Sequence, residues 1–385
     1  MKIIIIGAGI GGASAGIALR RLGHDVEIYE QVTENRPVGA AISVWPNGVK
    51  VLNWLGLGPQ TAALGGRMEY MSYREAFTGE TMCRFSMDPV TERMGQRPYP
   101  IARAELQAML MDAFGEKEIR FGKRMAGLEQ DERSVTVTFA DGTTAVGDVL
   151  IAADGAKSLA RSYVVGAELE RRYAGYVNFN GLVEADPSIA PPDQWTLWVG
   201  EGKRVSVMPV GGGRFYFFFD VVEPPGLPYE RGSARETLAG HFAGWAPPVQ
   251  RLISVLDPAT TNRVEIFDLD PFHTWVRGRV ALLGDAAHNT TPDIGQGGCS
   301  ALEDTVMLER AFATTTISVP DTLARYAAAR TQRAGDLVLW ARRRAELMHG
   351  SDPAQTEAWY ASLRDEDGTN VLRGIIGNMV DNPLG

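Results

Sequence analysis

The sequence predicts an α/β protein with a Rossmann-type nucleotide-binding domain, an interleaved and mostly antiparallel second sheet, and C-terminal helices. Three stretches carry that prediction. Lys2 to Ile6 is a continuous β-branched run leading into Gly7-Ala8-Gly9-Ile10-Gly11-Gly12, the pattern of a parallel strand buried on both faces and closed by a tight turn. From Tyr173 to Ile266 the composition becomes aromatic and alternating, punctuated by Gly and Pro, as antiparallel strands require. Arg279 to Leu283 reads as a further buried strand that ends in the sharp turn Gly284-Asp285 and leads, past Pro292 and Gly295-Gln296-Gly297-Gly298, to a helix from Ser300 to about Phe312.

Taken in order, Gly7, Gly9 and Gly12 stand in GxGxxG spacing, a helix follows to about Leu22, Gly23 stops it, and His24 to Glu30 forms the second strand. Glu30 falls about twenty residues after the glycines, where the acid of a dinucleotide fold meets the adenosine ribose. A lone glycine triple is weak evidence, but strand, glycines, helix, second strand and terminal acid in succession predict adenine dinucleotide binding. Residues 37–48 read as a loop, Val49 to Leu55 as a helix, and Met68 to Ser86 as strands of the second sheet. Arg97 to Pro100 reads as a linker and Ile101 to Leu106 as the opening of a helix, on which Arg103 is by pattern a solvated residue. Strands at Val135–Phe139 and Asp148–Ala152, joined through Asp141-Gly142, lead to Asp154-Gly155-Ala156-Lys157-Ser158-Leu159-Ala160-Arg161. Leu323 to about His349 is a long amphipathic helix whose Arg342-Arg343-Arg344 reads as a solvated face. These boundaries divide the chain into a discontinuous nucleotide domain (1–70, 100–172 and 267–330), a sheet domain (71–99 and 173–266) and a helical segment (331–385).

Bulk properties narrow the partners. The chain has 385 residues, 45% hydrophobic, with a formal net charge of −9, which argues against nucleic acid and against anionic membrane surfaces. No apolar run approaches the ~20 residues of a spanning helix. Only Cys83 and Cys299 are present, too few for a disulfide framework or a zinc site, and a reducing cytoplasm is the simplest setting. An enzyme of small molecules fits these properties.

The chemistry-bearing residues fall into two groups. An aspartate at a strand end, Asp285, can accept hydrogen bonds from ribose or ribityl hydroxyls, and Gly297-Gly298 let a flat ligand lie on bare backbone. The N–H groups of the following helix suit a ring that becomes anionic on reduction, as a flavin does. In the aromatic sheet, the period of two puts Asn178 and Asn180 on one face and Tyr216 with Arg214 and Phe218 on one face, while Arg204 begins a strand after the Gly200–Gly202 turn. Such a sheet can wall a pocket, although aromatic strands are usually core and their polar residues usually face water.

Three motifs in order, Gly7-x-Gly9-x-x-Gly12 with Glu30, Asp154-Gly155-x-x-Ser158-x-x-Arg161, and Gly284-Asp285-Ala286-Ala287-His288 with Pro292, resemble the class A flavin-dependent aromatic hydroxylases, typified by para-hydroxybenzoate hydroxylase. The resemblance implies a Rossmann-type FAD-binding domain with an interleaved substrate sheet, an Asp154 motif serving FAD and the nicotinamide donor, Asp285 on the FAD ribityl and Arg103 on its pyrophosphate. Further matches at residues 39–48, 172–178, 200–206 and 291–298 resemble the bacterial FAD-dependent urate hydroxylases over nearly the whole chain. That resemblance implies hydroxylation of urate to 5-hydroxyisourate with NADH and O2, through a flavin C4a-hydroperoxide, in purine catabolism. It assigns substrate contacts to Asn178, Arg204, Gln296 and Gly297, with Tyr216 lining the site, and a catalytic part to Arg204, Tyr216 and Asp293. Asp293 would act as a base or position a water. The cofactor set it implies is Gly7, Gly9, Gly11, Gly12, Glu30, Gln31, Ser43, Arg103, Met125, Asp154, Asp285, Pro292, Gly295, Gln296, Gly297, Gly298 and Cys299. Phe179 stands where the subfamily carries Trp, a change that would alter affinity if the ring touched substrate. Hydroxylation of another electron-rich ring, a phenol or a hydroxypyridine, and a non-enzymatic flavin-binding role are the competing readings.

Overall fold

The computed structural model describes residues 1–34, 40–314, 317–350 and 352–385. Among them, Lys2–Ile6 lies inside a five-stranded sheet ordered Val276–Arg277, Val280–Leu282, Val149–Ala152, Lys2–Ile6 and Asp25–Tyr29. Its two neighbours run parallel to it, and Ile3, Ile4 and Ile5 are fully buried. That two-sided burial is what the unbroken β-branched run encodes. The helix Ile10–Arg21 packs beside the helices Arg103–Phe114 and Gly297–Phe312. It approaches the sheet closely because Gly12 has no side chain: a Cβ there would stand 1.9 Å from the Gly7 carbonyl oxygen.

The second sheet has seven strands among the described residues, ordered Asn262–Leu269, Arg171–Glu184, Arg214–Val222, Lys203–Val210, Gln194–Gly200, Tyr70–Glu75 and Thr81–Ser86. Its pairs are antiparallel apart from Gln194–Gly200 with Tyr70–Glu75. One face buries Val177, Phe179, Val205, Val207, Phe215, Phe217 and Phe219 beneath the helices Ala234–His241 and Pro247–Val255. The alternate residues face the other way, toward the nucleotide domain.

Several local expectations change. Ala41–Val44, read as loop, and Tyr99–Ala102, read as the end of a linker and the opening of a helix, pair as a short antiparallel ribbon, too brief at four residues each for alternation to reveal. The next helix starts at Pro46, where a missing N–H is tolerated in a first turn. Residues 37–39 lie outside the described set. The Asp141-Gly142 turn joins Val135–Phe139 to Thr144–Gly147, not to the sheet strand Val149–Ala152, and Met125–Gln130 completes that small sheet. The glycine-led helix begins at Gly297. The long helix runs from Val319, capped by the Ser318 hydroxyl, to His349, so it passes unbroken through position 331. Its arginines are not simply solvated: Arg342 Nε donates to the fully buried Asp268 at 2.7 Å and Arg344 to the Tyr73 hydroxyl at 3.1 Å. Among the described residues no helix is long and apolar enough to cross a membrane.

A buried ionic cluster ties the Gly284-Asp285 turn to the helices behind it. Arg330 donates from Nε to Asp304 at 2.7 Å and from Nη1 to Glu303 at 2.7 Å. Asp304 also accepts from the Gly284 N–H at 3.0 Å and meets His288 Nε2 at 2.8 Å. Glu303 takes two further bonds from Arg333 and one from Asn47. Burial alone would push both acids up, but for Asp304 the His288 and Arg330 charges, and for Glu303 those of Arg330 and Arg333, hold them below the usual carboxylate range. Depressed acids stabilise the fold fully above their unfolded values, and this contribution is lost as pH falls through the lower folded ones, so the cluster fails in acid below about pH 4. Arg330→Met strands two buried carboxylates and is expected to cost about 3–5 kcal/mol in urea unfolding of the flavin-loaded protein. A loss under about 1 kcal/mol would show that the cluster is not the anchor.

Candidate active site

Each glycine of the N-terminal fingerprint has a distinct surrounding. Gly7, at φ +100°, turns the chain where a Cβ would meet the Ala153 carbonyl oxygen at 2.3 Å, whereas a Cβ on Gly9 would meet nothing within 4 Å. Open space at the middle glycine and tight packing at the outer two is what a pyrophosphate lying on the turn requires. From Gly9 a cavity of about 910 Å³ extends along Gly11, Gly12, Ser43, Arg103 and Asp285 to Pro292, Gly295, Gln296, Gly297 and Gly298, and onward to Asn178, Arg204 and Tyr216. The two groups of residues read from the sequence therefore line one continuous space.

Its nucleotide half fits FAD. The Asp285 carboxylate accepts no hydrogen bond from a described residue, which leaves it to a polyol chain. The first intrahelical bond of the glycine-led helix runs from the Ser300 N–H to Gln296, so the N–H groups of Gly297 and Gly298 end at the cavity with their partial positive charge. Arg103 is exposed, as its helical pattern implies, and also lines the same wall. Glu30 and Gln31, at the end of the second strand, and Met125, at the start of Met125–Gln130, lie beyond this cavity. There the Glu30 carboxylate accepts from the N–H groups of Ala8 at 2.8 Å and Val32 at 3.1 Å, so it braces the glycine turn.

Two residues of the expected cofactor set also have bonds within the protein. Asp154 accepts from the Ser158 hydroxyl at 2.6 Å and the Leu159 N–H at 2.9 Å, capping the helix Leu159–Val165, while Ala153, Gly155 and Ala156 reach the cavity. Burial pushes its carboxyl up. Cys299 is buried behind the glycines and accepts from the Trp45 N–H at 3.4 Å. Burial pushes its thiol up to about 12, so it stays neutral.

The substrate half is a cross-strand row. Asn178 lies opposite Asp220, and Asp220 lies opposite Arg204, on three adjacent strands. Asn178 Nδ2 donates to Asp220 at 2.6 Å and Arg204 Nε donates to it at 2.7 Å. A second arginine bond, from Nη2, reaches Asp293 at 3.3 Å, and the Tyr176 hydroxyl donates to the other Asp293 oxygen at 2.7 Å. Burial opposes the charge on Arg204, yet Asp220 and Asp293 offset this and hold the guanidinium more firmly protonated than usual. Burial likewise opposes the charge on Asp220, and Arg204 with His349 brings its carboxyl below the ordinary range. Both Asp293 oxygens accept from protein donors, so the carboxylate helps to fix Arg204 and Tyr176 in place. Tyr216 faces the cavity with its ring against Phe218, and burial pushes its hydroxyl above the ordinary value.

Asp220 was missed, although the alternation that places Tyr216 and Phe218 on one face carries straight on to it. Asn180, Trp195 and Leu197 follow the same rule and also line the wall. No sequence signal reveals that Trp340, Arg343, Arg344 and Asn370 from the C-terminal helices close the far side, because no motif links them to the sheet. Phe179 points away from the cavity into the opposite core, edge-on to Tyr229, so the condition on which its change would alter affinity is absent.

Comparison with known proteins agrees with this geometry. The family model described as FAD binding domain matches residues 1–341. The FAD-dependent urate hydroxylase of Mycolicibacterium vanbaalenii is 63% identical over 386 residues, covering 100% of this chain and 98% of that protein. The FAD-dependent urate hydroxylase of Klebsiella pneumoniae is 55% identical over 385 residues, covering 100% of both. The crystal structure of Klebsiella pneumoniae HpxO complexed with FAD and uric acid superposes with a TM-score of 0.97 at 54% identity, covering 100% of this chain and 98% of that one. With the glycine cradle, the Gly284-Asp285 turn and the interleaved sheet all in place, this chain belongs to the FAD-binding-domain family, among the class A flavin-dependent hydroxylases.

Proposed function

We propose that the protein is an FAD-dependent urate hydroxylase that converts urate, NADH, O2 and a proton to 5-hydroxyisourate, NAD+ and water, in the cytoplasm. The observation that carries the reading is the Asn178–Asp220–Arg204 row at the end of a cavity that begins at the dinucleotide cradle. Bound FAD supplies the redox and oxygen chemistry. The chain's own residues bind, orient and exclude water. Asp285 and the Gly297-Gly298 backbone hold the cofactor side of the cavity, and the helix N-terminus favours negative charge there. Urate is anionic at neutral pH, and Arg204, gripped on one edge by Asp220, offers it a guanidinium of fixed orientation. Asn178 is held by the same carboxylate, so the two groups that read the ring move as a unit. Gln296 and Gly297 border the ring where the two halves meet, and Tyr216 with Phe218 covers the face of the pocket. Leu197, Trp195 and Phe218 keep that end largely apolar, which strengthens every polar contact within it.

The reading is tested by adding urate to the FAD-loaded protein with NADH in air. One urate should disappear per NADH oxidised, with little oxidation before urate is added. Stimulation by a phenol or a hydroxypyridine but not by urate would assign the alternative substrate class. Arg204→Gln should weaken the urate response by about 2–5 kcal/mol while FAD is retained. An R204Q variant of the Klebsiella HpxO has been solved complexed with FAD.

The cradle makes a separate prediction. Gly12→Ala drives a Cβ against the Gly7 carbonyl and should destabilise the fold by about 1–3 kcal/mol or more, whereas Gly9→Ala has room and should leave the melting temperature of the flavin-free protein unchanged. Both should lose flavin on gel filtration, Gly9→Ala because its methyl fills the place of the pyrophosphate. Normal yellow colour in Gly9→Ala would remove the pyrophosphate from that position.

A further inference from the structure

His349 ends the long helix Val319–His349 and is 5% exposed. Its Nδ1 lies 2.7 Å from the Gly202 carbonyl oxygen, so Nδ1 carries a proton and donates it. The other ring nitrogen, Nε2, faces the Asp220 carboxylate at 3.5 Å and has no hydrogen-bond partner of ordinary length among the described residues. The ring is held against Tyr176, centroids 4.5 Å apart. With Nδ1 protonated, a neutral imidazole turns a lone pair toward a carboxylate, and an imidazolium turns an N–H toward it. The place at a helix C-terminus also favours the cation.

We propose that His349 is a positioning residue for the substrate anion, its imidazolium completing the charge balance around Arg204. This rests on the urate reading above. Arg204 contributes one positive charge against two negative ones from Asp220 and Asp293, leaving the cluster at −1 with a neutral His349 and at zero with an imidazolium. An anionic substrate approaches the neutral cluster more readily. Asp220, the Tyr176 ring and the Gly202 carbonyl meet His349 directly; beyond them Arg204 and Asp293 adjoin Asp220 and Tyr176, and Tyr360 lies near Arg204, Arg344 and Glu357. Burial pushes the Tyr176 and Tyr360 hydroxyls up, which keeps both neutral. Arg344 is held on the Tyr73 hydroxyl and the Trp359 ring. Imidazole is the side chain in this set that ordinarily changes charge between about pH 5 and 8. Protonated, it holds Asp220 from behind, so that the carboxylate keeps Asn178 and Arg204 in their fixed row.

Calorimetric titration of urate into the oxidised, FAD-loaded protein, in buffers of different ionisation enthalpy from about pH 6 to 9, tests this. Affinity should fall roughly tenfold as the imidazole loses its proton, and at the alkaline end urate binding should draw in up to about one proton per site, by reciprocity of the two equilibria. His349→Asn and His349→Gln should bind urate with a flat pH profile and no proton uptake. Parallel profiles in parent and variants would make His349 a packing residue and overturn the proposal. Should neither variant fold, nitrogen-15 NMR of histidine-labelled parent decides. A buried imidazolium that persists to higher pH with urate than without it is expected, and a neutral ring in both states overturns the role. Failure of the parent to bind urate at any pH would remove the substrate assignment itself. That result is distinct from binding without proton uptake, which removes only the role of His349.

Discussion

Arg330, fully buried between Glu303 and Asp304, is the interaction on which the rest of the molecule depends. Two adjacent carboxylates inside a protein are tolerable only if cations and N–H groups meet them. Here the requirement itself organises the site. Asp304 must find partners, and it finds the Gly284 N–H and His288, which fixes the turn that presents Asp285. Glu303 is met through Arg333 and Asn47, and the Asn47 amide also donates to the Gln296 side chain at 2.8 Å. The cluster thus sets both ends of the segment from Gly284 to Gly298 that borders the cavity.

The substrate wall repeats the device at smaller scale. Asp220 is a buried acid whose needs are met by Arg204 and Asn178, and that demand holds two recognition groups in one cross-strand row. The proposed use of an already paired arginine for an anionic substrate looks wasteful until the geometry is considered. An unpaired buried guanidinium would be costly and mobile, whereas Arg204 is fixed at Nε by Asp220, at Nη2 by Asp293 and at Nη1 by the Met348 sulfur. Gly9, Gly295, Gly297 and Gly298 bring bare backbone to the cavity, which offers partial charges without flexible side chains and therefore little reorganisation when charge develops.

Much of this was legible in the chain. Lys2–Ile6 with its glycines, the Gly284-Asp285 turn and the aromatic period of two each carry a local rule strong enough to survive tertiary packing. They located the cofactor half and the positions of Asn178, Arg204 and Tyr216. What stayed hidden was relational. Asp154 and Cys299 lie in motifs beside the cavity, but whether a side chain points inward or caps a helix depends on a backbone turn that no spacing encodes. Arg344 and His349 sit on a helix whose charged pattern resembles any solvated face, and only its packing across the sheet converts them into wall and brace. Phe179 lies next to Asn178 in sequence, and the same alternation that puts the Asn in the cavity puts the Phe in the core.

The central claim is that one cavity holds the flavin and an anionic purine in contact, with the Asn178–Asp220–Arg204 row setting the substrate's place beside the ring. Visible difference spectroscopy of the oxidised, FAD-loaded protein during a urate titration tests this most directly. A saturable shift of the flavin bands, reaching its end point at one urate per FAD, is the predicted result. Urate that binds without disturbing the flavin spectrum would mean that the two occupy separate places, and would contradict the account.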